Sequence, residues 1–233
     1  MKVTLTRITN DPILAIEEAA SNCYDSTPSY SGKIMKHCIQ SGHTSVTEFA
    51  DFTFHIEGVS RALSHQLVRH RLASYAQRSQ RYCSEDGFKF VAPKSIIKVP
   101  EAAVIYQKTM DAIRTAYDEL QELDIPNEDA RMILPNACET VIEVKMNLRS
   151  LMNFMHERLC ACAQWEIREL AKQMKEEVIK VVPILADYLV PKCESHGKQF
   201  GMCNESKGRS CGRHPTIEEI FKCYHAYKDM CNS

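Results

Sequence analysis

Apolar residues that recur with period two, set between long stretches of helical periodicity, limit this chain to a mixed fold. Phe52, Phe54 and Ile56 alternate with Thr53, His55 and Glu57, and Ile142, Val144 and Met146 alternate in the same way. Each run reads as a half-buried strand, the second ending near Asn147. Val3–Ile8 alternates more weakly and reads as a first strand. Asp11-Pro12 offers a cap residue and then a first-turn proline, so a helix is expected from there to about Cys23. A second follows Ser31 and closes at Gly42, a left-handed cap. Further helices are expected over Val59–Leu72, Glu101–Leu123, Ser150–Cys160 and Gln164–Leu189, the last kinked or broken at Pro183. Val104, Ile105, Ile113 and Leu120 are among the apolar positions of the Glu101–Leu123 helix. Strands and helices follow no regular βαβ rhythm, and neither GxGxxG nor GxxxxGK[ST] occurs. The expected class is α+β, a mixed sheet with long helices in a single compact domain.

Composition narrows the function classes. The 233 residues are 44% hydrophobic and 25% charged, as in an ordinary globular chain. No apolar run approaches the length of a membrane span, and the first residues, MKVTLTRITND, have no apolar core of a secretory signal. The expected location is cytoplasmic. A net charge of −1 gives no global pull toward nucleic acid or membrane, so neither is an expected partner. Eleven cysteines, an odd number with no signal sequence, read as free thiols in a reducing compartment.

Charge is nevertheless concentrated locally. Gly58–Ser84 contains no acidic residue but carries Arg61, Arg69, Arg71, Arg78 and Arg81, with His65 and His70. Arginine in place of lysine favours bidentate phosphate contacts. Ser74, Gln77, Ser79 and Gln80 add hydrogen-bonding groups, so the segment suits a phosphorylated, hydrogen-bonding small molecule. Two other readings stand beside this one. One is a solvated basic face. The other is an RNA-binding loop, with Tyr75 and Tyr82 as the only stacking candidates.

Arg69-His70-Arg71, seven residues, then Ser79-Gln80-Arg81 resembles the signature of the flavin-dependent thymidylate synthases. Asn147–Arg158 followed by Ala163–Glu166 resembles the substrate block of that family, and Gly42–Ser45 and Ala130–Pro135 are smaller matches in the right order. The resemblance covers residues 1–190, taken as the enzyme domain. Residues 191–233 are left as a Cys/His-rich appendage. It implies conversion of dUMP to dTMP, with FAD as hydride carrier, NADPH as reductant and methylenetetrahydrofolate as carbon donor. It also implies a homotetramer with shared sites. By position, His43, Ser45, Arg69, His70, Arg71, Asn147, Leu148, Arg149 and Asn153 would hold FAD. Gln66, Leu67, Val68, Arg69, Gln77, Arg78, Ser79, Gln80, Arg81, Arg131 and Arg158 would hold dUMP, with Arg158 as the activating residue. Gln77 stands where some relatives carry glutamate, and Arg78 where an apolar residue is common. Cys23 falls near a flavin-contacting position and is not assigned.

The chemistry admits alternatives. Ser79 as a nucleophile would need an adjacent base, for which His70 is the only titratable neighbour in sequence. A hydrogen bond to dUMP is preferred. A flavoprotein oxidase without methyl transfer is a third reading of the whole chain. His43 reads as a ring against flavin or a structural hydrogen bonder, and His156 as structural. Trp165 and Met152 read as core, and Glu166 as one half of a pair on a helix surface. In the appendage, Cys193-x2-His196 and Cys211-x2-His214 have zinc-like spacing, with Cys203, Cys223, His225 and Cys231 nearby in sequence. A zinc site and a thiol-bearing appendage both remain open, and no metal ligand is assigned.

Overall fold

A computed structural model describes residues 1–24, 26–195 and 201–231. Four strands form one sheet: β1 (Lys2–Ile8), β2 (Asp51–Ser60), β3 (Ser74–Gln77) and β4 (Glu139–Asn147), in the order β1-β2-β4-β3. The helices are α1 (Pro12–Tyr24), α2 (Lys33–Gln40), α3 (Arg61–Leu67), α4 (Lys94–Ile97), α5 (Pro100–Glu122), α6 (Asn127–Ala130), α7 (Leu148–Arg158), α8 (Trp165–Val181) and α9 (Ile217–Cys231). Among the described residues no helix is long and apolar enough to cross a membrane. The chain packs as two compact units. One holds Met1–Val3 and His55–Val144, the other Thr4–Phe54 and the chain from Lys145 onward. Each crossing falls inside a strand, so no linker composition marks it.

In the first unit, Ile56, Ile142 and Val144 are fully buried, as their alternation requires. Gly58 has φ 67 and breaks the alternation of β2, after which Val59 and Ser60 are both buried. Ser60 then caps α3 by accepting from the Leu63 N–H at 3.0 Å. The helix expected over Val59–Leu72 is therefore shorter at both ends: Val59 belongs to β2, and α3 stops at Leu67. The next strand, β3, is short and carries no period-two apolar signal. In α5 the buried residues are Met110 and Tyr117, seven apart and on one face. Val104 and Ile105 are exposed, so the apolar stripe starts a turn later than expected.

In the second unit, α1 ends where expected and its Glu17 is fully buried. The carboxylate accepts from the N–H groups of Ile34 at 2.9 Å and Met35 at 3.1 Å, capping α2. It does so because Gly32, at the N-cap position, has no side chain. At the other end, the Gly42 N–H bonds to the Ile39 carbonyl and the His43 N–H to the Cys38 carbonyl, a Schellman cap with Gly42 at φ 81. Asn147 caps α7 and Gln164 caps α8. Helix α8 stops at Val181, because Pro183 has no N–H to continue it, and a 3-10 turn covers Pro183–Asp187. Met152 is in the core as expected. Trp165 is 36% exposed and Glu166 is buried, the reverse of the sequence expectation, because the Gln164 cap starts α8 with Glu166 on its inner face.

Gly32 makes a testable demand. Its φ of 67 is left-handed, and a Cβ there would meet the Ile184 Cδ1 at 2.7 Å. Ile184 can move its terminal methyl, so the backbone sets the cost. Gly32→Ala is expected to destabilise by about 1–2 kcal/mol, or roughly 2–8 °C in Tm. Gly32→Asn should lose less, because asparagine tolerates this conformation. Equal melting of wild type and Gly32→Ala would contradict the assigned backbone.

Candidate active site

In the first unit the arginines of the acid-free segment have different neighbours. Arg61 is half-buried, and burial pulls its pKa down. It donates to the Arg78 carbonyl at 2.8 Å. Arg78 in turn donates from Nε to Glu85 at 3.1 Å and from its guanidinium to the Ser84 carbonyl at 3.0 Å. Arg81 meets the Glu128 carboxylate at 2.8 Å, and the Arg131 Nε donates to the Glu128 carbonyl at 3.1 Å. Two arginines assigned to dUMP, fifty residues apart in sequence, therefore converge on Glu128. Arg69 and Arg71 are exposed and make no ion pair among the described residues. Acids outside the segment, Glu85 and Glu128, thus offset part of its charge and leave Arg69 and Arg71 uncompensated.

The turn that carries Arg69–Arg71 is held from below. Gln66 is half-buried in the last turn of α3, Leu67 is buried, and Val68 is its exposed C-cap. The Tyr75 hydroxyl, on β3, lies 2.9 Å from the Leu67 carbonyl and 2.7 Å from the His70 carbonyl. Burial pushes the Tyr75 phenol up to about 12, so it stays a donor at any working pH. Gln77 donates to Ser64 Oγ at 3.0 Å and to Thr140 Oγ1 at 3.3 Å. Ser79 accepts from the Arg81 N–H at 3.3 Å, and Gln80 reaches the Cys138 sulfur at 3.8 Å. Because the Leu67 side chain is core, only its backbone is available to a ligand.

In the second unit the remaining residues gather on α7 and the 3-10 turn Thr44–Phe49, which pack together. His43 and Ser45 are exposed on that turn. Arg149 donates to Glu48 at 2.5 Å, both side chains 45% exposed. Asn147 spends its side-chain oxygen on the Ser150 N–H at 2.9 Å, which leaves its amide N–H groups for a ligand. Leu148 is fully buried. Asn153 lines a cavity of about 150 Å³ with Gly42, Thr44, Met152 and His156. Arg158, in the last turn of α7, lines a different cavity of about 230 Å³ with Glu157, Cys160, Cys162 and, from the C-terminal segment, Asn204 and Arg209. The nine residues separating Arg149 from Arg158 put them half a turn apart on one continuous helix. His156 borders both cavities, and burial pulls its pKa down, so its ring is neutral near pH 7.

A family model described as "Thymidylate synthase complementing protein" matches residues 4–184. The chain is 41% identical over 234 residues to a flavin-dependent thymidylate synthase of Geobacter sulfurreducens, covering 95% of this chain and 98% of that one. It is 43% identical over 223 residues to the protein of the same name in Pyrococcus furiosus, covering 88% and 90%. The chain belongs to the flavin-dependent thymidylate synthase family. A crystal structure of thymidylate synthase X from Helicobacter pylori with FAD and dUMP superposes with a TM-score of 0.61 at 24% identity, over 76% of this chain and 93% of that one. At that identity the likeness establishes the fold. Family membership makes the chain an FAD-dependent enzyme of thymidylate synthesis.

Sequence reading of this thymidylate synthase missed Glu48 and Glu128, the acids that meet Arg149 and Arg81. No local pattern pairs residues this far apart. It also missed that Asn204 and Arg209 share a cavity with Arg158. In the appendage, Cys193 and His214 are brought together with Glu194. His196 lies outside the described residues, while Cys211 is exposed and Cys223 and His225 are exposed on α9.

Proposed function

We propose that this protein converts dUMP to dTMP in the cytoplasm, as a homotetramer with shared active sites. Methylenetetrahydrofolate is the carbon donor and NADPH the reductant. The observation that carries the reading is the exposed, uncompensated pair Arg69 and Arg71 in a turn fixed by Tyr75. Adjacent guanidiniums without a carboxylate partner suit a pyrophosphate, so the residues present fit FAD. When bound, FAD supplies hydride transfer. His43, Ser45, His70, Asn147, the Leu148 backbone, Arg149 and Asn153 complete the FAD contacts in this reading. Gln66, the backbones of Leu67, Val68 and Arg78, and the side chains of Gln77, Ser79, Gln80, Arg81 and Arg131 hold dUMP. Arg158 stabilises negative charge on the uracil edge. The exposed apolar residues Ile97, Val99, Val104 and Ile105 support a subunit contact.

The visible spectrum of the purified protein tests the reading. A flavin band bleached by NADPH, with dTMP formed after dUMP and methylenetetrahydrofolate are added, is the expected result. Absence of flavin would favour the RNA-binding reading. Bound flavin without tritium release from C5-labelled dUMP would favour an oxidase. Tyr75 gives a more local test. Tyr75→Phe removes the donor that fixes the Arg69–Arg71 turn, a bond worth roughly 0.5–1.5 kcal/mol. FAD affinity should fall by up to about tenfold with the fold retained by circular dichroism. Unchanged FAD affinity would detach that turn from the cofactor.

A further inference from the structure

We propose that Cys160, Cys162 and Glu205 bind a zinc ion that ties the C-terminal segment to the turn after α7. The two thiols and one carboxylate oxygen all lie within 4.8 Å of one another. A tetrahedral zinc with bonds of about 2.3 Å to sulfur needs its sulfur ligands about 3.8 Å apart, a small closure from that geometry. Cys160 and Cys162 are two apart on an irregular turn, where both can face one ion. All three residues line the cavity of about 230 Å³, and so does Cys203, so a fourth ligand, its thiol or a water, has room. Ionised together, two thiolates and a carboxylate repel one another, and a divalent cation reverses that. The ligand set of soft thiolate and hard carboxylate suits zinc among the common cellular metals. Each thiol loses its proton to solvent on binding, including the one Cys162 now directs to the Arg209 carbonyl at 3.0 Å.

Cys193, Glu194 and His214 form a second close group, with a weaker claim. Glu194 is held by Arg213 at 2.8 Å, and this group brings one thiol where the first brings two. Glu205 is held more loosely, by Arg209 at 3.5 Å. The proposal does not depend on the enzyme reaction.

Elemental analysis of the reduced full chain, after zinc loading and exchange into chelator-free buffer, should find about one zinc per chain. Cys160→Ser, Cys162→Ser and Glu205→Gln should each lower zinc affinity by at least tenfold, while Cys193→Ser and His214→Ala keep it. If a variant fails to fold, cobalt(II) added to metal-free wild-type protein should produce thiolate-to-cobalt charge-transfer absorption that zinc displaces. The proposal is overturned if the wild type retains neither metal. It is equally overturned if zinc survives Cys160→Ser and Cys162→Ser but is lost in Cys193→Ser or His214→Ala.

Discussion

Arg158→Ala is expected to keep FAD and its reduction by NADPH, yet to lose dTMP formation by at least about a hundredfold, the scale of removing one electrostatic stabiliser. Uracil N3 is a weak acid, and its anion spreads charge over the two carbonyl oxygens and pushes electron density toward C5. A guanidinium against that edge favours the anion, and each unit of pKa lowering corresponds to about 1.36 kcal/mol. Arginine keeps its charge at any working pH, and its fork can offer two parallel donors. The last turn of α7 leaves Arg158 half-buried beside its own cavity, half a turn away from Arg149. Its loss should therefore act on the chemical step and leave FAD affinity near that of the wild type. Arg158→Lys should recover only part of the rate, because an ammonium cannot make the bidentate contact. Near-normal dTMP formation by Arg158→Ala, or loss of FAD in its place, would remove the activating role from this residue.

The strands were legible because burial on one face writes a period of two into the sequence. Phe52, Phe54 and Ile56 in β2 and Ile142, Val144 and Met146 in β4 are all at or near zero exposure. The first helices were legible for the same local reason, with Pro12 at the start of α1 and Gly42 capping α2. Errors came where tertiary context outweighed local pattern. The basic segment looked helical to Leu72, but Tyr75 competes for the carbonyls of Leu67 and His70, and α3 ends there. In β3 the sequence Ser74–Gln77 is polar enough to read as loop, and the strand forms because it has β4 beside it.

For the candidate site, the charged and hydrogen-bonding residues were visible in the sequence and their charge balance was not. The acid-free segment invites a count of five free arginines. Folding brings Glu85 to Arg78 and Glu128 to Arg81 and half-buries Arg61 against the Arg78 carbonyl, so the exposed charge is left on Arg69 and Arg71. Carboxylates were visible in the sequence, but their partners were set by the fold. The same holds for the thiols: zinc-like spacing pointed to Cys193-x2-His196 and Cys211-x2-His214, and the fold brings Cys193 to His214, whereas among the described residues the group with two thiols and a carboxylate combines Cys160 and Cys162 with Glu205 from a distant segment.

Arg149→Ala is expected to weaken FAD binding more than Arg71→Ala does, and Glu48 is the reason. Each substitution removes one charge-assisted contact, worth roughly 1.5–3 kcal/mol or about 10- to 150-fold in affinity. Arg71 has no acidic partner among the described residues, so Arg71→Ala removes a cation and nothing else. Arg149 lies 2.5 Å from Glu48, and both are half exposed to solvent. That ion pair adds only about 0–1 kcal/mol to fold stability, so neither variant should unfold. Removing Arg149 leaves the Glu48 carboxylate facing a ligand that carries a pyrophosphate. The lost attraction then leaves uncovered a repulsion that the Arg149 guanidinium offsets in the wild type. Glu48→Gln alone should bind FAD as well as wild type or up to about tenfold tighter, because Arg149 is released from its competitor. The double variant Glu48→Gln/Arg149→Ala should recover part of what Arg149→Ala loses, and the recovered part measures the coupling. Binding titrations at low and high salt separate the two contributions, because repulsion by an exposed carboxylate is screened over about 10 Å at 0.1 M salt. If Glu48→Gln recovers nothing in the Arg149→Ala background at low salt, the carboxylate does not face the cofactor. If FAD affinity is unchanged in both Arg71→Ala and Arg149→Ala, neither arginine holds it.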